Sequence, residues 1–179
     1  GPAVGGTGIT LTETDFNAAT VTVGGATCTI GANNATSIFC ATTAHAAGGP
    51  FDIIVTNSDS QNDTLGTAFT FIDAPSITSV DVSSGPTGGA TVITLTGTNF
   101  SNPATSVTIG GTTCGAPITQ PVTSYQCTTG ASTAGLVDII LTNTDSQTST
   151  LSNSYTYIPP PNVTSITTIY TGDFGSTLG

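Results

Sequence analysis

Phe51-Asp-Ile-Ile-Val-Thr-Asn57 returns 86 residues later as Val137-Asp-Ile-Ile-Leu-Thr-Asn143. The match extends in both directions. Downstream, Asp59-Ser-Gln61 becomes Asp145-Ser-Gln147, and Phe69-Thr-Phe-Ile72 becomes Tyr155-Thr-Tyr-Ile158. Upstream, Val21-Thr-Val-Gly-Gly25 matches Val107-Thr-Ile-Gly-Gly111, and Ile9-Thr-Leu-Thr12 matches Ile93-Thr-Leu-Thr96. A period of this length is one small domain, too long for a solenoid coil. The segments of the second unit read as short strands separated by turn residues: Ser76 to Val82, Thr91 to Thr98, Ser106 to Ile109, Ser124 to Thr128, Leu136 to Thr142 and Ser154 to Ile158. Strands at this spacing predict an all-β fold of two immunoglobulin-like sandwiches. Nothing has the period of a long amphipathic helix.

Composition agrees and narrows the function. The 179 residues hold 10 acidic groups, one histidine and no lysine or arginine, for a net charge of −10. Phosphate binding rests mainly on Lys and Arg, so nucleic acid is excluded as a partner. A polybasic membrane contact fails for the same reason. No apolar run approaches the length of a spanning helix, so no membrane insertion is expected. Only 36% of residues are hydrophobic. They are clustered in strand-like runs, which argues against disorder.

At this point a family resemblance emerges. Pro75-Ser-Ile-Thr-Ser-Val80, Gly85-Pro-Thr-Gly-Gly89, Ile93-Thr-Leu-Thr-Gly-Thr-Asn-Phe100, Val107-Thr-Ile-Gly-Gly111 and Tyr155-Thr-Tyr157 occur in the order of an IPT/TIG domain. The string resembles that family over residues 75–158, and residues 1–73 match less completely. The resemblance implies early-set immunoglobulin-like sandwiches. It leaves function open, since such domains serve in surface receptors, adhesins, transcription factors and polysaccharide-degrading enzymes. The missing cations conflict with the transcription-factor branch.

The four cysteines align as pairs, Cys28 with Cys114 and Cys40 with Cys127. Three connectivities are possible. The repeat favours Cys28–Cys40 and Cys114–Cys127, one disulfide per domain. Disulfides place the chain in an oxidising compartment, so it is expected to be extracellular or at a cell surface. Asn34, Asn62, Asn99 and Asn162 head Asn-x-Ser/Thr sequons and are possible glycosylation sites.

Signals of chemistry are weak. His45 lies in a small-residue loop without a nucleophile or orienting acid marked by any motif. The cysteines lack CxxC spacing, which argues against zinc. Glu13, Asp15, Asp59 and Asp63 read as turn and solvated carboxylates, since no dense calcium loop appears. Asp52 and Asp138 read as outward strand residues or partners of loop amides. The Thr-x-Thr runs follow from strand propensity. No catalytic site, metal site or cofactor is expected, and the chain reads as a non-enzyme.

The ends of the repeat are uneven. Residues 74–158 form a complete unit that opens with a strand before Gly85-Pro86. Residues 1–73 open directly at Gly1-Pro2, so the first unit lacks that strand. Residues 159–179 contain Pro159-Pro-Pro161, then Asn162-Val163-Thr164-Ser165-Ile166-Thr167-Thr168-Ile169, then a Gly-containing tail. Val163-Thr-Ser-Ile166 matches Ile77-Thr-Ser-Val80. With no initiator Met and no leader, the chain reads as a processed product or a piece of a longer array. In the second case the spare strand belongs to a third domain. The other account is donation: residues 162–169 of one copy fill the incomplete sandwich of the next, making a homopolymer. The expectation is an extracellular filament or stalk built this way. The alternative is an adhesin or carbohydrate-binding module in a longer surface protein, with glycans as partners. Tyr125 and Tyr170 are the candidate exposed rings for that role, because Tyr155 and Tyr157 alternate in a strand.

Overall fold

The computed structural model describes residues 1–101, 106–119 and 121–167. The first domain runs through β1 (Gly8–Thr12), β2 (Thr20–Val23), β3 (Ala26–Thr27), β4 (Thr29–Asn34), β5 (Ser37–Ala41), β6 (Gly48–Thr56) and β7 (Asn62–Phe71). The second contains β8 (Ser76–Val80), β9 (Ser84–Pro86), β10 (Val92–Thr98), β11 (Ser106–Ile109), β12 (Thr112–Thr113), β13 (Ser124–Thr128), β14 (Gly135–Thr142) and β15 (Thr148–Ile158). Each domain is a pair of sheets. The first has orders β1-β5-β4 and β3-β2-β6-β7; the second has β13-β10-β8 and β12-β11-β14-β15-β9. The last strand of the second unit begins at Thr148, six residues before the expected Ser154, because its first half pairs with β14 across the Asn143–Gln147 turn.

The alternation of the strands sets the cores. In β11, Val107 and Ile109 point inward while Ser106 and Thr108 do not. The second core gathers Ile77, Ile93, Leu95, Phe100, Val107, Ile109, Ile139, Leu141 and three tyrosines. The first gathers Ala19, Val21, Val23, Ile38, Ile53 and Phe71. A disulfide crosses each core, Cys28–Cys40 in one and Cys114–Cys127 in the other, and no free cysteine remains among the described residues. Each ties a residue following the β3 or β12 edge to the facing sheet, at β5 in the first domain and at β13 in the second.

One expectation is corrected. Tyr125 is only 2% exposed and belongs to the core, as do Tyr155 and Tyr157. Tyr125 and Cys127 share a face of β13, and the disulfide draws that face inward. Burial pushes the Tyr125 hydroxyl above its ordinary pKa, and burial followed by the neighbouring Tyr155 does so for Tyr157. Tyr157 donates to the Gly130 carbonyl at 3.0 Å. Tyr170 lies outside the described residues.

Asp52 and Asp138 hold bulges in the closing strands. The Asp52 carboxylate accepts from the Thr67 N–H at 2.8 Å, and the Asp138 carboxylate from the Asn153 N–H at 2.7 Å. Thr67 and Asn153 both have positive φ, at 52° and 50°. A carboxylate bonded to that amide stabilises the left-handed turn of the chain there. His45 packs in the same domain as structure: its ring stacks on Phe71 at 4.8 Å and lies 3.2 Å from the Gly24 carbonyl.

Candidate functional site

The two domains differ at one edge. In the second, β10 is flanked by β13 on one side and β8 on the other. In the first, β1 is the counterpart of β10, and it pairs with β5 alone. Among the described residues no strand covers its other side. Gly1 to Ala3 does have a counterpart. Pro2 bridges Ile72 in parallel, as β9 pairs with the end of β15. Among the described residues the first domain thus shows a counterpart of β9 and none of β8.

Burial differs accordingly. Leu95 and Phe100 in the second domain are 0% and 1% exposed, while their counterparts Leu11 and Phe16 are half-buried. The same holds for Ile93 against Ile9 and Leu141 against Val55. Leu151 packs on the second core, whereas its counterpart Leu65 is 59% exposed. In the second domain Ile77 and Val80 of β8 supply the cover. In the first, a cleft of about 260 Å³ is lined by Leu11, Phe16, Ile53, Val55, Asp63 and Leu65. A second hollow of about 210 Å³ shares Glu13, Phe16, Val55 and Asp63 with it.

The polar pattern of β8 specifies what an occupant would meet. The pairing is Leu95↔Val80, Thr96↔Ser79, Gly97↔Ile77 and Thr98↔Ser76, with Thr78 as the extra residue of a bulge. The Ile77 N–H donates to Ser149 Oγ on β15 at 3.0 Å, and Thr78 Oγ1 donates to the Thr96 carbonyl at 2.9 Å. Asp81 closes the strand by accepting from the Thr94 N–H at 2.7 Å. Desolvation raises the Asp81 pKa, but the bonds from Thr94 and Val82 outweigh it and hold the carboxyl below its ordinary value. In the first domain Asp63 stands where Ser149 does, a stronger acceptor for a backbone N–H. Glu13 stands where Gly97 does. A Cβ at Gly97 would run into the Ser76 carbonyl and the Phe100 ring. A strand following the path of β8 into the first domain would therefore meet the Glu13 side chain at its first two residues.

The matching segment lies at the other end of the chain. Asn162, Val163, Thr164, Ser165, Ile166 and Thr167 form no strand and are exposed, with Val163 at 78% and Ile166 at 85%. Thr168 and Ile169 lie outside the described residues. The remaining predicted residues are scattered. Asn34 is exposed at a turn, its side-chain oxygen accepting from the Thr36 N–H at 2.9 Å. Asn62 lines the 210 Å³ hollow, and Asn99 donates to the Ala74 carbonyl at 3.2 Å. Sequence reasoning did not single out Leu11, Phe16, Val55 and Leu65, and it read Asp63 only as a turn carboxylate. Their signal was the repeat itself, which aligns them with five positions covered or bonded by β8.

The IPT/TIG domain model matches this chain twice, over residues 1–71 and 75–157. The chain belongs to the IPT/TIG family. No sequence among the curated proteins matches it. Among solved structures it is similar to the extracellular region of plexin A4, at 19% identity and a TM-score of 0.48, covering 88% of this chain and 17% of that one. It is also similar to SGBP-B of a Bacteroides ovatus mixed-linkage glucan utilization locus, solved in complex with a mixed-linkage heptasaccharide. There the identity is 18% and the TM-score 0.40, covering 86% of this chain and 42% of that one. The chain thus spans less than half the length of either, and likeness at this level carries no argument about function.

The IPT/TIG domains present no assembled metal cluster of His, Cys, Asp or Glu among the described residues. No helix there is long and apolar enough to cross a membrane. The disulfides mark an oxidising compartment.

Proposed function

We propose that this chain is an extracellular structural protein, a subunit or repeat segment of a surface filament. Copies join head-to-tail when residues 162–169 of one enter the open edge of β1 in the next. The observation that carries this reading is the paired difference between the domains. Five positions covered or bonded by β8 in the second domain are only half-buried or exposed in the first, and a segment similar to β8 lies exposed beyond β15. Aligned on β8, Val163 takes the place of Ile77 and Ile166 that of Val80. The backbone gains a ladder along β1, and the Val163 N–H meets Asp63. An open edge above an apolar cleft is a pairing template, and filling it with a strand is β-augmentation. A head-to-tail joint does not close on itself, so it propagates. Without Lys or Arg, cohesion has to come from strand pairing and apolar burial, with the disulfides bracing each domain.

Electron microscopy of the purified chain tests this. Filaments whose density shows a strand against β1 are the expected outcome. A monodisperse monomer at high concentration overturns it. A glycan array on that monomer would then decide for the carbohydrate-binding reading, which the burial of Tyr125, Tyr155 and Tyr157 disfavours.

A further inference from the structure

The contact between the two domains within one chain has most of its parts duplicated at the chain's free surfaces. Inside the chain, the end of the first domain meets two loop tips of the second. Gln147 Nε2 donates to the Ile72 carbonyl at 3.1 Å while its backbone N–H is held by Asp145 Oδ1 at 3.1 Å. The Asn143 side chain ties the two tips together, donating to the Asn99 carbonyl at 2.7 Å and accepting from the Ser101 N–H at 2.9 Å. Ile72, Asn99, Asn143 and Asp145 line one hollow at this joint.

The first domain carries the same receiving surface, already formed. The Gln61 N–H is held by Asp59 Oδ1 at 3.1 Å. Asn57 donates to the Asp15 carbonyl at 3.0 Å and accepts from the Asn17 N–H at 3.0 Å. Gln61 is exposed. The second domain carries the same delivering surface. The Ile158 carbonyl accepts from the Thr87 N–H at 3.0 Å, as that of Ile72 accepts from Ala3 at 2.8 Å. Ile158 is 52% exposed. The connections also agree. Ile77 follows Ile72 by five residues, and Val163 follows Ile158 by five. A strand seated like β8 therefore brings Ile158 to the loop tips of the receiving domain with the chain length that the internal joint uses.

We propose that the contact between successive copies repeats the contact between the two domains of one chain, with Gln61 of each copy donating to the Ile158 carbonyl of the copy before it. The filament is then an even string of equivalently placed domains, with no hinge at the subunit boundary. This rests on the strand donation proposed above. Two substitutions distinguish the joints. Asp15 replaces Asn99, and its side chain has no N–H to offer the Pro160 carbonyl as Asn99 offers one to that of Ala74. Pro159-Pro-Pro161 replaces Asp73-Ala-Pro75, which stiffens the connection.

Helical reconstruction of filaments of the full chain tests this. The rotation and translation from a second domain to the next copy's first domain is expected to match that between the two domains within a chain. A seated strand with a different rotation overturns this inference and leaves donation intact. An empty β1 edge, or no filament, overturns both. As a second reading, Gln61→Ala should weaken subunit association about fivefold, the effect of one ordinary hydrogen bond, and Asp15→Asn should strengthen it. Unchanged association for both variants overturns the joint even where filaments form.

Discussion

The double variant Val163→Ala/Ile166→Ala isolates donation from folding. Both side chains are mostly solvent-exposed in the single chain, at 78% and 85%, so the monomer has little to lose. Its thermal unfolding should move by no more than about 0.5 kcal/mol, as for surface substitutions generally. In the assembled state the same side chains cover Leu11, Phe16, Val55 and Leu65. Truncation removes about five carbon groups, each contributing about 0.8 kcal/mol on burial, or about 4 kcal/mol. That is an upper figure, because the exposed segment already shields some surface. It corresponds to about a thousandfold rise in the subunit concentration needed for filaments. The assay is pelleting or light scattering across a concentration series, with circular dichroism on the soluble fraction. Filaments at the wild-type concentration would refute the reasoning. A marked drop in the monomer's unfolding temperature would refute it differently, by showing that the segment packs on its own chain.

Glu13→Gly should lower the critical concentration, because it removes the one side chain that obstructs the path taken by β8 past Gly97; pelleting reads it, and a higher critical concentration would mean that the entering strand avoids that path. Loss of Cys28–Cys40, by Cys→Ala at both positions, should destabilise the first domain by about 3 kcal/mol, from a loop of 12 residues. Calorimetry should then show the first domain melting separately and earlier than the second. Asp81 has a lowered pKa in the fold, so its contribution is present above the ordinary carboxyl pKa and disappears as pH falls through the lower folded value. The second domain's melting temperature should fall below about pH 4, with a shallower fall in Asp81→Asn. Mass spectrometry of native filaments should find Asn62 and Asn162 without glycan, since one lines the hollow beside the cleft and the other enters the cleft; a glycan on either would contradict donation. Asn34 faces solvent and is the sequon free to carry one.

Chain pattern determined most of this protein. A period-two alternation and an 86-residue repeat are local properties, so they revealed two sandwiches without any contact map. The repeat also raised the expectation of an incomplete first unit and a donor segment, because unequal ends show as soon as two copies are aligned. Tertiary structure decided what depends on which faces meet. Tyr125 looked like a ring for binding, but the disulfide at Cys127 turns its side of β13 inward. Asp52 and Asp138 were legible as a repeated pair, while their partners, fifteen residues away across a bulge, were not. The opposition of Glu13 to the path of β8 became visible only through the closeness of Gly97 to Ser76, and the duplicated joint only through Gln147 reaching Ile72. Residue types and spacing determine which strands form. Which of their edges stay open, and what those edges can receive, depends on atoms far apart in the chain.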